Sequence, residues 1–291
     1  MNAIGHRSVF DRLVQQTSSF VRTPKGRLLL YYGTFAVLAA VREDFVTVAI
    51  AVVATVGTAA LVDVAFRRLL LGDWVAPSGA MLTGLVVAMV LNPYGSVLVP
   101  MAAAAVGVAA KHLIRTRTAN VLNPAAFGII VAATVMGRGQ SWWGSLPAYD
   151  LLGALAVIGV GALTADHGNK IPLVLSFFAT YFSLFAALTF APDGGSVAEV
   201  FLAPGAHAAL SFAFFMLDDP PTSPVRYVDQ VWYGALVAAL AVVVFVADGG
   251  AYYLVAALLI GNLVEAGRRI RQDRRRFVGR EDTGSLAGLA G

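Results

Sequence analysis

The sequence predicts an all-α polytopic membrane protein: about ten transmembrane helices arranged as an inverted five-plus-five repeat. Three observations predict it. Hydrophobic residues fill 58% of the 291 positions and charged residues only 13%, against about 25% charged in a soluble domain, and the mean hydropathy is +0.74. Apolar runs that suit bilayer-crossing helices recur along the chain, separated by short polar or Gly/Pro breaks. The basic residues, finally, gather in alternate breaks.

In order, the runs are 28–41, which ends at Arg42; 45–66, closed by Arg67 and Arg68; 74–91, closed by Asn92-Pro93; 96–110, closed by Lys111; and 119–136, broken internally at Asn123-Pro124. There follow 148–165; 171–190, opened by Lys170; 203–217, closed by Asp218-Asp219; 229–247, closed by Asp248-Gly249-Gly250; and 251–267, closed by Arg268-Arg269. Several are shorter than twenty residues. A short span must tilt little, thin the bilayer, or be a broken helix whose freed backbone groups are satisfied by neighbours.

With the N-terminus inside, every Lys and Arg of the 21 except Arg42 and Arg138 falls in an inner segment. Ten spans with both termini cytoplasmic satisfy the positive-inside rule. The net charge of +4 then reflects topology and attraction to anionic lipid, with no nucleic-acid partner implied by the basic stretch "RRIRQDRRRFVGR". Residues 1–27 form a cytoplasmic basic arm, in which Phe10, Leu13, Val14, Thr17 and Val21 share one helical face suited to a membrane surface. Residues 28–267 form a single membrane domain with halves at about 28–140 and 141–267, and 268–291 form a disordered basic tail. Zero cysteines exclude disulfides, all-Cys iron–sulfur clusters and Cys-based zinc sites. His112 and His167, both near the inner side, leave a two-histidine haem conceivable.

The runs 76–93, "APSGAMLTGLVVAMVLNP", and 203–220, "APGAHAALSFAFFMLDDP", share their punctuation: Pro77 and Pro204, and Pro93 and Pro220, are each 127 residues apart. They are spans three and eight, so the repeat unit is five helices. An odd unit inserts its second copy upside down, and inverted-repeat folds place their sites on interrupted helices at the repeat interface. The interruptions are "NVLNPAAFG", with Asn123 and Pro124, and its counterpart "LLIGNLVEAG" with Asn262. Interhelix hydrogen bonding is the other reading for both asparagines.

The succession "SGAMLTGLVVAMVLNP", "KHLIRTRTANVLNPAAFG", "HAALSFAFFMLDDPPTSP" and "VWYGALVAALAVVVFVADGGAYYLVAALLIGNLV" resembles the NqrB/RnfD family. These are ten-helix membrane subunits of the sodium-translocating NADH:quinone reductase and of the Rnf ferredoxin:NAD oxidoreductase. The resemblance covers about residues 74–266, and its most specific pieces are "NPAAFG" and "FFMLDDPPTSP". It implies a flavin carrier in the bacterial cytoplasmic membrane that passes electrons, couples them to Na⁺ or H⁺ movement, and acts with other subunits of a membrane redox complex. The family's covalent FMN hangs from a Thr in a Ser/Thr-Gly-Ala-Thr motif after span five. Here that region reads "MGRGQSWWGSLPAYD", without the motif, so the resemblance implies non-covalent FMN or riboflavin, or none.

The candidate cofactor-binding residues are Asn123, Pro124, Trp142, Trp143, His207, Asp218, Asp219, Thr222 and Ser223. The tryptophans read either as stacking partners for a flavin ring or as interfacial anchors. Asp218 and Asp219 oppose the dipole at the end of span eight. They read either as structural, with Asp219 capping the next turn and Arg226 as partner, or as inner-vestibule acceptors for ribityl hydroxyls or a passing cation. A transporter or channel for a small polar solute is the rival expectation.

Overall fold

A computed structural model describes residues 23–72, 74–116, 120–137, 139–190, 194–202, 205–248 and 252–287. Among them a helix forms at each of the ten expected runs, and no strand forms beyond two isolated bridges. The helices are α1 (Pro24–Arg42), α2 (Phe45–Leu71), α3 (Ser78–Val90), α4 (Leu98–Leu113), α5 (Pro124–Met136), α6 (Asp150–His167), α7 (Ile171–Thr189), α8 (Gly205–Phe212), α9 (Tyr227–Asp248) and α10 (Tyr253–Ala287). One π-helical segment, Ala213–Leu217, extends α8. The amphipathic arm expected over 1–27 lies mostly outside the described residues, as does Arg138.

Local chemistry sets the ends. Thr23 accepts the Gly26 amide at 3.1 Å and Pro24 occupies the first turn of α1, where a missing N–H costs nothing. Asp44 accepts the Val46 amide at 3.2 Å to start α2, which stops on Gly72 at φ 68°, a left-handed position that glycine takes without steric cost. Asn123 accepts the Ala126 amide at 3.0 Å, with Pro124 next in line. The Asn-Pro pair therefore starts α5 rather than bending a longer helix, and the run expected from 119 begins as a helix at 124. At the other extreme α10 continues to Ala287, so the stretch from 268 that reads as a disordered tail carries the last helix onward.

Four helical stretches, Phe45–Leu70, Trp143–His167, Ile171–Thr189 and Tyr227–Ala247, are long and apolar enough to cross a membrane. Ser78–Val90, Leu98–Leu113, Pro124–Met136 and Gly205–Leu217 are shorter apolar helices. The shorter helices rely on close approach. A Cβ on Gly107 of α4 would lie 2.2 Å from the Pro124 carbonyl oxygen, and one on Gly128 of α5 would lie 2.1 Å from that of Ala103. Large apolar side chains such as Leu61, Leu69, Leu152, Val243 and Val246 stay exposed, an arrangement that suits lipid and not water.

Contacts between helix ends define two poles. Starts of α1, α3, α5 and α7 meet ends of α2, α4 and α6 and the segment leaving α8 around one cavity, and the same pole joins the start of α9 to α10 through Arg268 and Asp229, 2.9 Å apart. Successive helices therefore run in alternating directions. Arg27, Arg67, Lys111, Arg115, Lys170, Arg268 and Arg269 all belong to this basic pole. The opposite pole holds Arg42 over the Tyr149 ring at 5.0 Å and Tyr94, whose hydroxyl bonds the Glu43 carboxylate.

Candidate functional site

The cavity at the basic pole has a volume of about 690 Å³, within the range of small-molecule and cofactor sites. Asn123, Pro124, Asp218 and Asp219 line it. The segments "NPAAFG" and "FFMLDDPPTSP", far apart in the chain, thus share one wall. Asn123 joins them: its amide N–H donates to Asn262 Oδ1 at 2.8 Å and its side-chain Nδ2 to the Met216 carbonyl at 3.2 Å. Asn262 Nδ2 in turn donates to the Tyr233 hydroxyl at 2.6 Å. Both asparagines are buried and bonded, so they act first as interhelix ties that place the cavity wall.

The π-helical segment ends at Leu217, and π turns recur at functional sites because they re-aim side chains. Past it, Asp219 organises a tight turn. Its carbonyl accepts the Thr222 and Ser223 amides at 3.1 and 3.0 Å, and its Oδ2 accepts the Thr222 hydroxyl at 2.9 Å. Thr222 and Ser223 are buried in this turn and do not line the cavity. Arg226 is exposed and forms no ion pair among the described residues, contrary to the pairing expected of it. Two other cations stand there instead. Buried Lys170 donates to the Pro224 carbonyl at 2.6 Å, and Arg269 donates to Pro221 and Ser223 carbonyls at 2.9 and 2.7 Å. Glu265, 1% exposed, accepts both Arg268 and Arg269 and so fixes the arginine that holds the loop.

The two aspartates and the lysine influence one another's protons. Burial pushes the Asp219 carboxyl up to about 6, against the lowering effect of the Thr222 hydroxyl and of Lys170 and Arg269. Burial, with Asp219 beside it, holds Asp218 well above the ordinary carboxylate range. Burial lowers Lys170, opposed by the charge of Asp218. All three shifts disfavour the charged form.

A second charged cluster on the cavity wall involves residues absent from the candidate set. Asp63, 1% exposed, accepts Arg67 Nε at 3.1 Å, Lys111 Nζ at 2.6 Å and His112 Nε2 at 2.8 Å. The signal was present in the sequence: Asp63 is the sole carboxylate in the 27 residues of α2, and an ionisable group inside an apolar run marks function by default. Glu265 carries the same signal in run ten. His112 Nε2 is engaged by Asp63 at 2.8 Å and His167 Nδ1 donates to the Leu163 carbonyl at 2.6 Å, so each cavity histidine has one ring nitrogen held within the protein.

Trp142, Trp143 and His207 lie at the other pole. Both tryptophans are buried, at 8% and 5% exposure, so neither is an interfacial anchor. Trp143 Nε1 donates to the Ala88 carbonyl at 2.7 Å and Trp142 Nε1 to Gln140 Oε1 at 3.0 Å. The Ser141 and Trp142 amides donate to Val90 at 2.8 and 3.1 Å, so this segment is pinned across the end of α3. His207 Nδ1 donates to the Ser145 carbonyl at 3.0 Å. Trp142, Leu146 and Asp150 take φ of 51°, 58° and 44°, conformations costly for residues with a Cβ. No protein-family model and no curated protein matches this chain.

Proposed function

We propose that this chain is the membrane subunit of a flavin-dependent electron transport complex resembling the NqrB/RnfD family, acting with soluble or membrane partners that deliver and remove electrons. One observation carries the reading: the two segments on which the resemblance rests converge on a single cofactor-sized cavity, with Asn123, Pro124, Asp218 and Asp219 on its wall. A flavin bound there would supply one- and two-electron transfer between those partners, coupled to Na⁺ or H⁺ movement. Asp218 and Asp219 would accept hydrogen bonds from its polyhydroxylated chain, Lys170 would stand beside them on the cavity wall, and the Asn123–Asn262 tie would hold the wall in place.

The cavity suits non-covalent FMN or riboflavin, whereas the sealed segment 140–146 suits no covalent attachment. Ser145 there is 3% exposed, and no threonine occurs in the segment. The ten-pass inverted repeat belongs to the same proposal. Its support is the pairing of α1 with α3, α2 with α4 and α4 with α5, matched by α6 with α8, α7 with α9 and α9 with α10. Gly107 and Gly234, 127 residues apart, are both close-approach positions; a Cβ on Gly234 would lie 2.4 Å from the Leu173 carbonyl oxygen. Both termini on the cytoplasmic face of a bacterial inner membrane belong to the same proposal, and the basic residues gathered at one pole support it.

Acid extraction of the purified full chain, with mass measurement of the intact protein, tests the reading. The expected result is an acid-released flavin and an unmodified chain mass. A colourless protein that also fails to quench added FMN or riboflavin fluorescence overturns it.

A second reading, passage of a small polar solute, has one feature in its favour. A small void of about 20 Å³ beneath Trp142 shares Tyr32, Val86, Phe215 and Met216 with the main cavity. Flux of a solute through liposomes carrying the protein alone, without any redox partner, would favour this reading over the first.

A further inference from the structure

We propose that the cavity wall built by α2 and α4 is a subsite for a phosphate monoester. This deepens the reading of the cavity as a ligand site and rests on it. The observation is a charge imbalance held in place by a buried carboxylate. Asp63 gathers Arg67, Lys111 and the His112 ring within 3.1 Å, and Phe66 stacks on that ring at 5.2 Å and 5° between planes. Arg27 and Arg115 line the same cavity and form no ion pair among the described residues. Among the described residues lining the cavity, Arg27, Arg67, Lys111, Arg115 and Lys170 stand against three carboxylates, Asp63, Asp218 and Asp219, which leaves a net positive charge.

Gathering like charges in a partly dry pocket is unfavourable unless an opposite charge enters. The buried Asp63 cannot balance the set. It restrains Arg67 and Lys111, so that less side-chain freedom is lost when a ligand binds. The α3 helix also begins on this cavity, at Ser78 and Gly79, with no side-chain cap, and its positive dipole end adds to the field. Asp218 and Asp219 line the same cavity and offer acceptors to hydroxyl groups. A ligand with a phosphate at one end and neutral hydroxyls toward the other matches this polarity.

Two sources share that chemistry: the 5′-phosphate of FMN, and the headgroup of a phosphatidic-acid-like lipid entering from the bilayer. The test uses the full chain in detergent and two matched pairs of probes, FMN against riboflavin by fluorescence quenching and short-chain phosphatidic acid against the corresponding diacylglycerol by thermal shift. Each is repeated with the double substitution Arg27→Gln/Arg115→Gln and with Lys111→Gln. Among the described residues Arg27 and Arg115 hold no carboxylate, so the double variant leaves the ion pairs described above intact, and its riboflavin affinity serves as the folding control.

The expected result is that FMN binds at least about tenfold tighter than riboflavin, the factor a single charge-assisted hydrogen bond supplies, and that the ratio falls to within about twofold in the variants. If neither flavin binds but phosphatidic acid stabilises the protein and the variants lose that effect, the subsite stands with a lipid as its source and the flavin reading falls. If the phosphorylated and unphosphorylated members of both pairs behave alike, the subsite is overturned even where riboflavin binds. A phosphate preference that the variants leave unchanged overturns it as well.

Discussion

The two poles of this bundle are built from similar materials and come out opposite. At the basic pole, asparagine, aspartate, lysine and arginine surround an open cavity of about 690 Å³. At the other, tryptophan, histidine, serine and glutamine close over the end of α3 and the start of α8, and a void of only about 20 Å³ remains beneath them. Part of the difference lies in where the hydrogen bonds go. Trp142, Trp143 and His207 spend their donors on Gln140, Ala88 and Ser145, whereas Asp218 and Asp219 keep carboxylate oxygens at a cavity wall. Hydrogen bonding is not the whole difference, since Gln140 Nε2 and Ser141 Oγ at the sealed pole are buried without a partner and Asp219 Oδ2 at the open pole already accepts from Thr222; the open pole also has room beside its polar groups.

Substitutions can break or sharpen this contrast. The largest effect is expected where both poles depend on one packing contact. Gly128→Val places a side chain where even a Cβ would lie 2.1 Å from the Ala103 carbonyl oxygen. The α4–α5 crossing that sets Asn123 should fail, read as loss of the monodisperse peak in size-exclusion chromatography. Trp143→Ala at the sealed pole should lower stability by about 3–5 kcal/mol, the usual loss for truncating a buried aromatic, in equilibrium unfolding. Flavin affinity at the basic pole should be unchanged by it; a parallel loss would mean the poles are not independent. His207→Ala leaves the buried Ser145 carbonyl unsatisfied and should cost about 1–3 kcal/mol.

At the open pole the sign reverses. The Asp219 carboxyl sits at about 6 in the folded protein, above its ordinary value of 3.8, so between those values the folded state binds more protons than the unfolded one. Stability therefore falls as pH rises through that window, and the full penalty remains above it. Asp219→Asn should raise the melting temperature at pH 7 and weaken the pH dependence across the window, with Asp218 supplying what slope is left. The smallest effect belongs to Arg226→Gln, within about 0.5 kcal/mol, because Arg226 is exposed and unpaired among the described residues.

The helices were legible in the sequence because their signals are local. Hydropathy marks the ten runs, but their ends are harder to read: Asn123-Pro124, which reads as a break inside the run from 119, is the cap and first turn of α5. The motif aspartates were legible for a related reason: two charges closing an apolar run demand an account. The partners were not. Nothing local says that Lys170 and Arg269, rather than the adjacent Arg226, come to the Asp219 turn, because that depends on helices 50 residues away in the chain meeting at one pole. The tryptophans misled for the opposite reason. A Trp pair beside a polar break resembles an interfacial anchor, and only the fold of 140–146 onto α3 turns both rings inward.

The bond from Arg269 to the Pro221 and Ser223 carbonyls has a mechanical consequence. That arginine sits on the same rod as the stretch running on to Ala287, about 27 Å farther along at the standard rise. Displacement of this extension would reach the cavity wall by two routes, the Arg269 bonds beside Asp219 and the Asn262–Asn123 tie. A spin label near the rod's tip and another on that wall would register the transmission as correlated changes in distance.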